Sequence, residues 1–185
     1  MELNPLTALS PIDGRYARQT DALRDIFSEC AFMNARVRVE VEWLISLSEA
    51  GFAELPHLSD HGKAFLRGLA DNFSLADCEA IKEIEKTTNH DVKAVEYWIK
   101  NQVAHDEELK SASEFVHFSC TSEDINNTSH AIMLKRGREA LADYLQQIHD
   151  TIAGFAHQWA EIPMLSRTHG QTASPTTVGK EFANV

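Results

Sequence analysis

The chain is short of the features that take a protein into a membrane, out of a cell or onto nucleic acid. No apolar run approaches the about 20 residues that a membrane-spanning helix needs. The opening, MELNPLTALSP, has neither the basic patch nor the apolar core of a secretory leader. Basic side chains are scarce, 17 Lys and Arg against 28 Asp and Glu, for a formal net charge of −11. Polyphosphates and anionic lipid surfaces are held by Lys and Arg, so neither is an expected partner. A small anionic ligand stays possible, because a few local cations and helix N-termini override the global sign. The three cysteines, Cys30, Cys78 and Cys120, are odd in number and far apart. They read as reduced thiols of a cytoplasmic protein rather than a disulfide framework. Among the nine histidines, His57 and His61 are four apart, but no third ligand lies near them in sequence, so no metal is expected. There is no Walker loop, no GxGxxG after a strand, no HExxH and no GxSxG. Triphosphate hydrolysis, dinucleotide binding and serine-hydrolase chemistry are therefore unsupported.

What is present is helical periodicity. Leu23, Ile26, Phe27 and Cys30 fall at helical spacing, and Val37, Val41, Leu44 and Ile45 extend the pattern until Gly51 and Pro56 close it. The spacing predicts a shorter helix over about 61–72, and another capped by Ser74 with Asp77 three residues on. Val92, Val95, Ile99 and Val103 predict the next, and a polar link over 105–113 follows. From Ser122 to Ala160 the pattern fits one helix about 58 Å long. On it Leu141, Leu145, Ile148, Ile152, Phe155 and Trp159 form a heptad-like stripe that asks for partner helices. Strand signals are nearly absent, with a weak one at 113–118. Ser174 and Pro175 read as the start of a last helix, N-cap then Pro, which the end at Val185 cuts short. That ending reads as a partial chain. The expected fold class is all-α, a small N-terminal helical domain over 1–111 followed over 112–185 by the first long helix of an incomplete central bundle.

Three polar knots interrupt this pattern: TTNHD (87–91), CTSED (120–124) and SRTHGQ (166–171). The plain reading of each is helix capping by Ser, Thr, Asn and Asp. Three of them in one helical chain, two with a histidine, suggest anion sites built from helix N-termini and hydroxyls. A histidine, unlike its Thr and Gln neighbours, exchanges protons near neutral pH. His169 therefore reads either as a loop residue satisfied by backbone or as a general acid or base. His90, beside Asp91, carries the same two readings. Arg15 and Tyr16, after the Asp13-Gly14 turn, read as solvated or as an oxyanion clamp, and Lys93 is equally ambiguous. Cys120 has no evident activating partner and reads as filling rather than a nucleophile.

Four segments are recognisable together: SPIDGRY (10–16), KTTNHDVKAVEY (86–97), FVHFSCTSEDINN (115–127) and SRTHGQTASPTTVGKE (166–181). They resemble, in order, the N-terminal part of the adenylosuccinate lyases, a family of the fumarase/aspartase superfamily. TSED and RTHGQ alone carry only the superfamily, whereas TTNHDVKAVE and DGRY favour this member of it. The resemblance implies a cofactor-free carbon–nitrogen lyase of purine biosynthesis. It would eliminate fumarate from adenylosuccinate to give AMP, and from the succinylated imidazole carboxamide precursor. It further implies His169 as the proton donor, with His90 assisting. Thr121 and Ser122 would hold substrate carboxylate, Arg15 and Tyr16 the phosphate, and Asp91 and Thr168 would support. The family's base serine belongs to a Gly-Ser-Ser loop before Met-Pro-x-Lys-x-Asn-Pro, which this sequence lacks. The family is a homotetramer with composite active sites, so these 185 residues alone are expected to be inactive. Two other readings compete, a sister lyase releasing fumarate from a different substrate and a non-catalytic helical module whose knots are only caps.

Overall fold

In the computed structural model, residues 6–51 and 54–185 are described. Two compact units emerge, Met1–Gly137 and Arg138–Val185. The expected boundary at 111/112 falls inside the first, where the polar link is mostly a short helix.

The first unit is built of helices whose starts follow local capping chemistry. After the Asp13-Gly14 turn and a 3-10 turn at Asp21–Leu23 come α1 (Arg24–Phe27) and α2 (Glu29–Glu49). Ser28 breaks the run the sequence predicts as continuous. Its extended backbone places its hydroxyl to accept from the Ala31 N–H, capping α2. Ser59 caps α3 (Asp60–Asp71), and Ser74 with Asp77 forms the expected capping box of α4 (Leu75–Thr88). Asn89, at φ 49°, ends α4 in the left-handed conformation, and His90 caps α5 (Asp91–Val103). Asp106 caps α6 (Glu107–Ala112). The core lies among α2, α3, α4, α5 and α6, with Leu44, Leu66, Ile81, Ile99 and Leu109 fully buried. Each such side chain contributes about 2 kcal/mol by leaving water.

Two expectations fail here. Residues 113–118 are not a strand; a 3-10 turn at Ser113–Phe115 leads into further turns, with the Val116 N–H bonded to the Ser113 carbonyl. Cys30 and Cys78 are not separate thiols but form a disulfide, their Cα atoms 5.7 Å apart. The packing of α2 on α4 brings together cysteines 48 residues apart, which spacing along the chain cannot show.

Helix α7 (Ser122–Gln158) is the predicted long helix, and it runs from the first unit into the second. In the second unit Leu141, Leu145 and Ile148 of its stripe are exposed, whereas Phe155 stacks on Trp159 at 4.7 Å and both pack on Phe182. The third knot is a correction to the helical reading. Residues 163–177 form an antiparallel hairpin of β1 (Pro163–Thr168) and β2 (Gln171–Thr177), and Pro175 lies in the strand opposite Leu165. His169 at φ 50° and Gly170 at φ 74° are the two turn residues, the left-handed pair a type I′ hairpin requires. The last helix, α8 (Val178–Phe182), starts three residues later than predicted, capped by Thr177. Gly179 lets it approach α7 closely, because a Cβ there would collide with the backbone of Ala156 and Ala160.

Candidate functional site

Two of the three knots meet in the first unit. His90 caps α5 through its ring, with Nδ1 accepting from the Lys93 N–H at 3.2 Å. An accepting Nδ1 carries no proton, so in the neutral ring the proton sits on Nε2. That atom is 3.3 Å from Oγ of Ser122, in the first turn of α7. The histidine thus donates to Ser122, whose own hydroxyl proton points to a further acceptor. Two helix N-termini converge at this contact, and the positive ends of their dipoles favour an anion.

Asp91 anchors the arrangement. Its Oδ1 accepts from the Val92 N–H at 2.8 Å, and its Oδ2 accepts from Arg36 Nη2 at 2.5 Å. Burial pushes the Asp91 carboxyl up, but the Val92 N–H and the Arg36 guanidinium outweigh it and hold it below the ordinary value. The Nε of Arg36 reaches Asn126 of α7 at 2.9 Å, so one buried guanidinium ties the start of α5 to that of α7. Its face lies 3.9 Å from the Phe32 ring, which stacks on His130.

Thr121 is otherwise engaged. Its N–H and its hydroxyl both donate to Oδ2 of Asp124, at 2.8 and 3.0 Å, and the carboxyl of Asp124 is lowered for that reason. Holding a substrate carboxylate with this hydroxyl therefore requires its proton to turn away from Asp124. Lys93 pairs with Glu96 at 2.6 Å, a hydrogen bond that raises its pKa. Arg15 lies 5.5 Å from the centre of the Tyr16 ring, and both are exposed. Among the described residues no hydrogen bond or ion pair joins them to His90, Asp91, Thr121 or Ser122. Thr168 and His169 belong to the second unit, exposed at the hairpin tip. Cys120 is half-buried, and burial raises its thiol pKa, against a nucleophilic role.

Arg36 and Asn126 are functional candidates that motif reading passed over. A signal for the first existed. Phe32, Arg36 and Glu40 are spaced by four on α2, so two charged residues share a helix face with a ring. A cavity of about 550 Å³ lies between α2 and the start of α7, lined by Trp43, Ser119, Cys120, Asp124 and Ile125 among others, but not by His90 or Ser122. No group of three or more His, Cys, Asp or Glu side chains among the described residues could hold a metal ion, and no described helix is long and apolar enough to cross a membrane.

A family model described as Lyase matches residues 14–185. Relatives similar over the whole chain include the adenylosuccinate lyases of Haemophilus influenzae, 55% identical, Vibrio cholerae, 54%, and Escherichia coli K12, 53%. The chain spans 41% of the length of each. Among solved structures, fumarate lyase from Mesorhizobium sp. BNC1 aligns with a TM-score of 0.70 at 20% identity, over 89% of this chain and 36% of that one. The 3-carboxy-cis,cis-muconate lactonizing enzyme from Pseudomonas putida aligns at 0.66 and 22%, with the same two coverages. At these identities the likeness is one of fold.

Proposed function

The chain belongs to the lyase family whose model spans residues 14–185, and from that premise we propose that it supplies the N-terminal part of an adenylosuccinate lyase. The whole protein would cleave adenylosuccinate to AMP and fumarate, and likewise the succinylated imidazole carboxamide precursor, in the cytoplasm and as a homotetramer. Residues 1–111 would belong to its N-terminal domain and 112–185 to its helical bundle. The carrying observation is the 3.3 Å contact of His90 with Ser122 where α5 and α7 begin. It gathers an imidazole, a hydroxyl and the positive ends of two helices into one anion-seeking spot, which a substrate with two carboxylates and a phosphate needs.

In the proposed reaction a base removes a proton from the succinyl carbon beside a carboxylate. The electron pair is held as an aci-carboxylate, then forms the C=C bond of fumarate as the C–N bond breaks. His169 protonates the departing nitrogen. Ser122, Thr121 and the helix ends stabilise the developing charge, usually the largest catalytic contribution. Arg15 and Tyr16 would receive the phosphate, and Asp91 and Thr168 support the histidines. The base lies outside these 185 residues, so this chain alone would not turn over substrate. Absorbance assays of the full-length protein with adenylosuccinate and argininosuccinate test the reading. Turnover of the first alone is expected; turnover of the second alone would assign a sister lyase instead.

A further inference from the structure

The contact between His90 and Ser122 is the end of a ladder. On α7, Ser122, Asn126 and His130 follow at spacings of four, so they lie along one face of the helix. Each has a partner outside α7. Ser122 meets His90, the Asn126 Oδ1 accepts from Nε of Arg36 at 2.9 Å, and His130 stacks on Phe32 with ring centres 4.5 Å apart. Phe32 and Arg36 are themselves four apart on α2. Two rungs of the ladder therefore come from α2, and the third is the cap of α5.

Arg36 is the rung that also reaches α5. Its Nη2 donates at 2.5 Å to Oδ2 of Asp91, the residue after His90, and its side chain is only 6% exposed. A guanidinium is flat, so its bonds leave in one plane at fixed angles. Acceptors on α5 and α7 held by one such fork keep a fixed separation. The Phe32 ring, 3.9 Å from the guanidinium, sets the tilt of that plane. The platform is held as well. One turn further along α2, Oε1 of the fully buried Glu40 meets Nδ1 of His117 at 2.5 Å, so the backbone that carries Arg36 is fixed before and after it. None of Phe32, Arg36 and Asn126 is among the residues to which the lyase resemblance gives a role.

We propose that Arg36 is a positioning residue, whose guanidinium fork sets the placement of Ser122 against His90 at which the pair receives a substrate carboxylate. It acts through Asp91 and Asn126 and does not touch substrate. The inference rests on the lyase reading of the site. What the position requires is the planar fork rather than the positive charge alone. Lysine keeps the charge and the pair with Asp91. Its ammonium is a point donor on a flexible stem, which fixes no angle between two acceptors and presents no flat face to Phe32.

The test uses the full-length protein carrying Arg36→Lys, alone and combined with Ser122→Ala. Alone, Arg36→Lys is expected to lower kcat/KM for adenylosuccinate about tenfold. In the Ser122→Ala background the same change is expected to cost less than about twofold, because the hydroxyl that Arg36 places is gone. A role in stability alone would lower kcat/KM of the folded protein equally in both backgrounds or not at all, and either result overturns the inference. Should Arg36→Lys not fold, Asn126→Ala takes its place in the same cycle, since it frees one arm of the fork and leaves the pair with Asp91. A loss of about tenfold that vanishes with Ser122→Ala is then expected, and an additive loss or none overturns the inference. If wild type does not act on adenylosuccinate, the substrate reading fails instead, and hydrogen exchange over residues 122–130 in the folded variant decides the positioning role alone. Exchange about tenfold faster than wild type supports it, and unchanged exchange overturns it.

Discussion

The Nε2 of His90 stands 3.3 Å from the Oγ of Ser122, although 32 residues separate them. The same ring caps α5 through Nδ1, so one side chain ends one helix start and reaches the other. This double use makes His90 and Ser122 separable by mutation. His90→Ala removes a cap worth about 1 kcal/mol and the contact together. In the full-length protein kcat/KM is expected to fall about 10²–10⁴-fold. Ser122→Ala removes only a hydroxyl, so urea unfolding should stay near wild type while kcat/KM drops at least about tenfold. Undiminished catalysis in both would remove this pair from the site.

His169 at the tip of the hairpin allows a clean test, because Asn also tolerates the left-handed turn. His169→Asn in the full-length protein should lower turnover about 10³-fold with circular dichroism and assembly unchanged. Retained activity would mean that another group protonates the leaving nitrogen.

Arg36 joins α5 to α7 through Asp91 and Asn126 with its side chain almost fully buried. Arg36→Met keeps the volume and removes both charge-assisted bonds. It should cost about 2–3 kcal/mol in denaturant unfolding. Asp91→Asn should be non-additive with it, since the two act as one pair.

The raised pKa of His117 makes stability pH-dependent in a definite direction. The folded protein binds this proton more tightly than the unfolded chain does. The pair's contribution is therefore full below the ordinary imidazole range, about pH 6.5, and is lost as pH rises through the raised value. The urea midpoint should fall on this alkaline side in wild type and lose that component in Glu40→Gln.

The Cys30–Cys78 link closes a loop of 48 residues. On a chain-entropy account it stabilises by about 4 kcal/mol. Non-reducing peptide mapping should recover residues 30 and 78 in one linked species, and reductant should lower the melting temperature. Two alkylatable thiols at these positions in the native protein would contradict the link.

Most helices were legible because their starts are decided within three residues. Ser74 with Asp77 is a local hydrogen-bond pair written three letters apart, whereas Asp106 with Leu109 sits in a stretch that reads as a polar link. The hairpin was not legible. Its strands are polar, have no buried face to force alternation, and carry an irregularity between Leu165 and Arg167. The one available signal was His169-Gly170 as a two-residue turn, and Ser174-Pro175 masked it by looking like a helix start.

The sequence alone determined the helical class, the helix-start chemistry and the candidate residues His90, Asp91, Thr121, Ser122 and His169, since each depends on side-chain type and near neighbours. Only the tertiary structure decided that His90 meets Ser122, that Arg36 bridges Asp91 to Asn126, that Glu40 holds His117, and that Cys30 pairs with Cys78. These contacts span 32 to 90 residues. They exist because α2 packs its charged stripe against two helix starts, a choice made by burial of the whole core and not by any local run of residues.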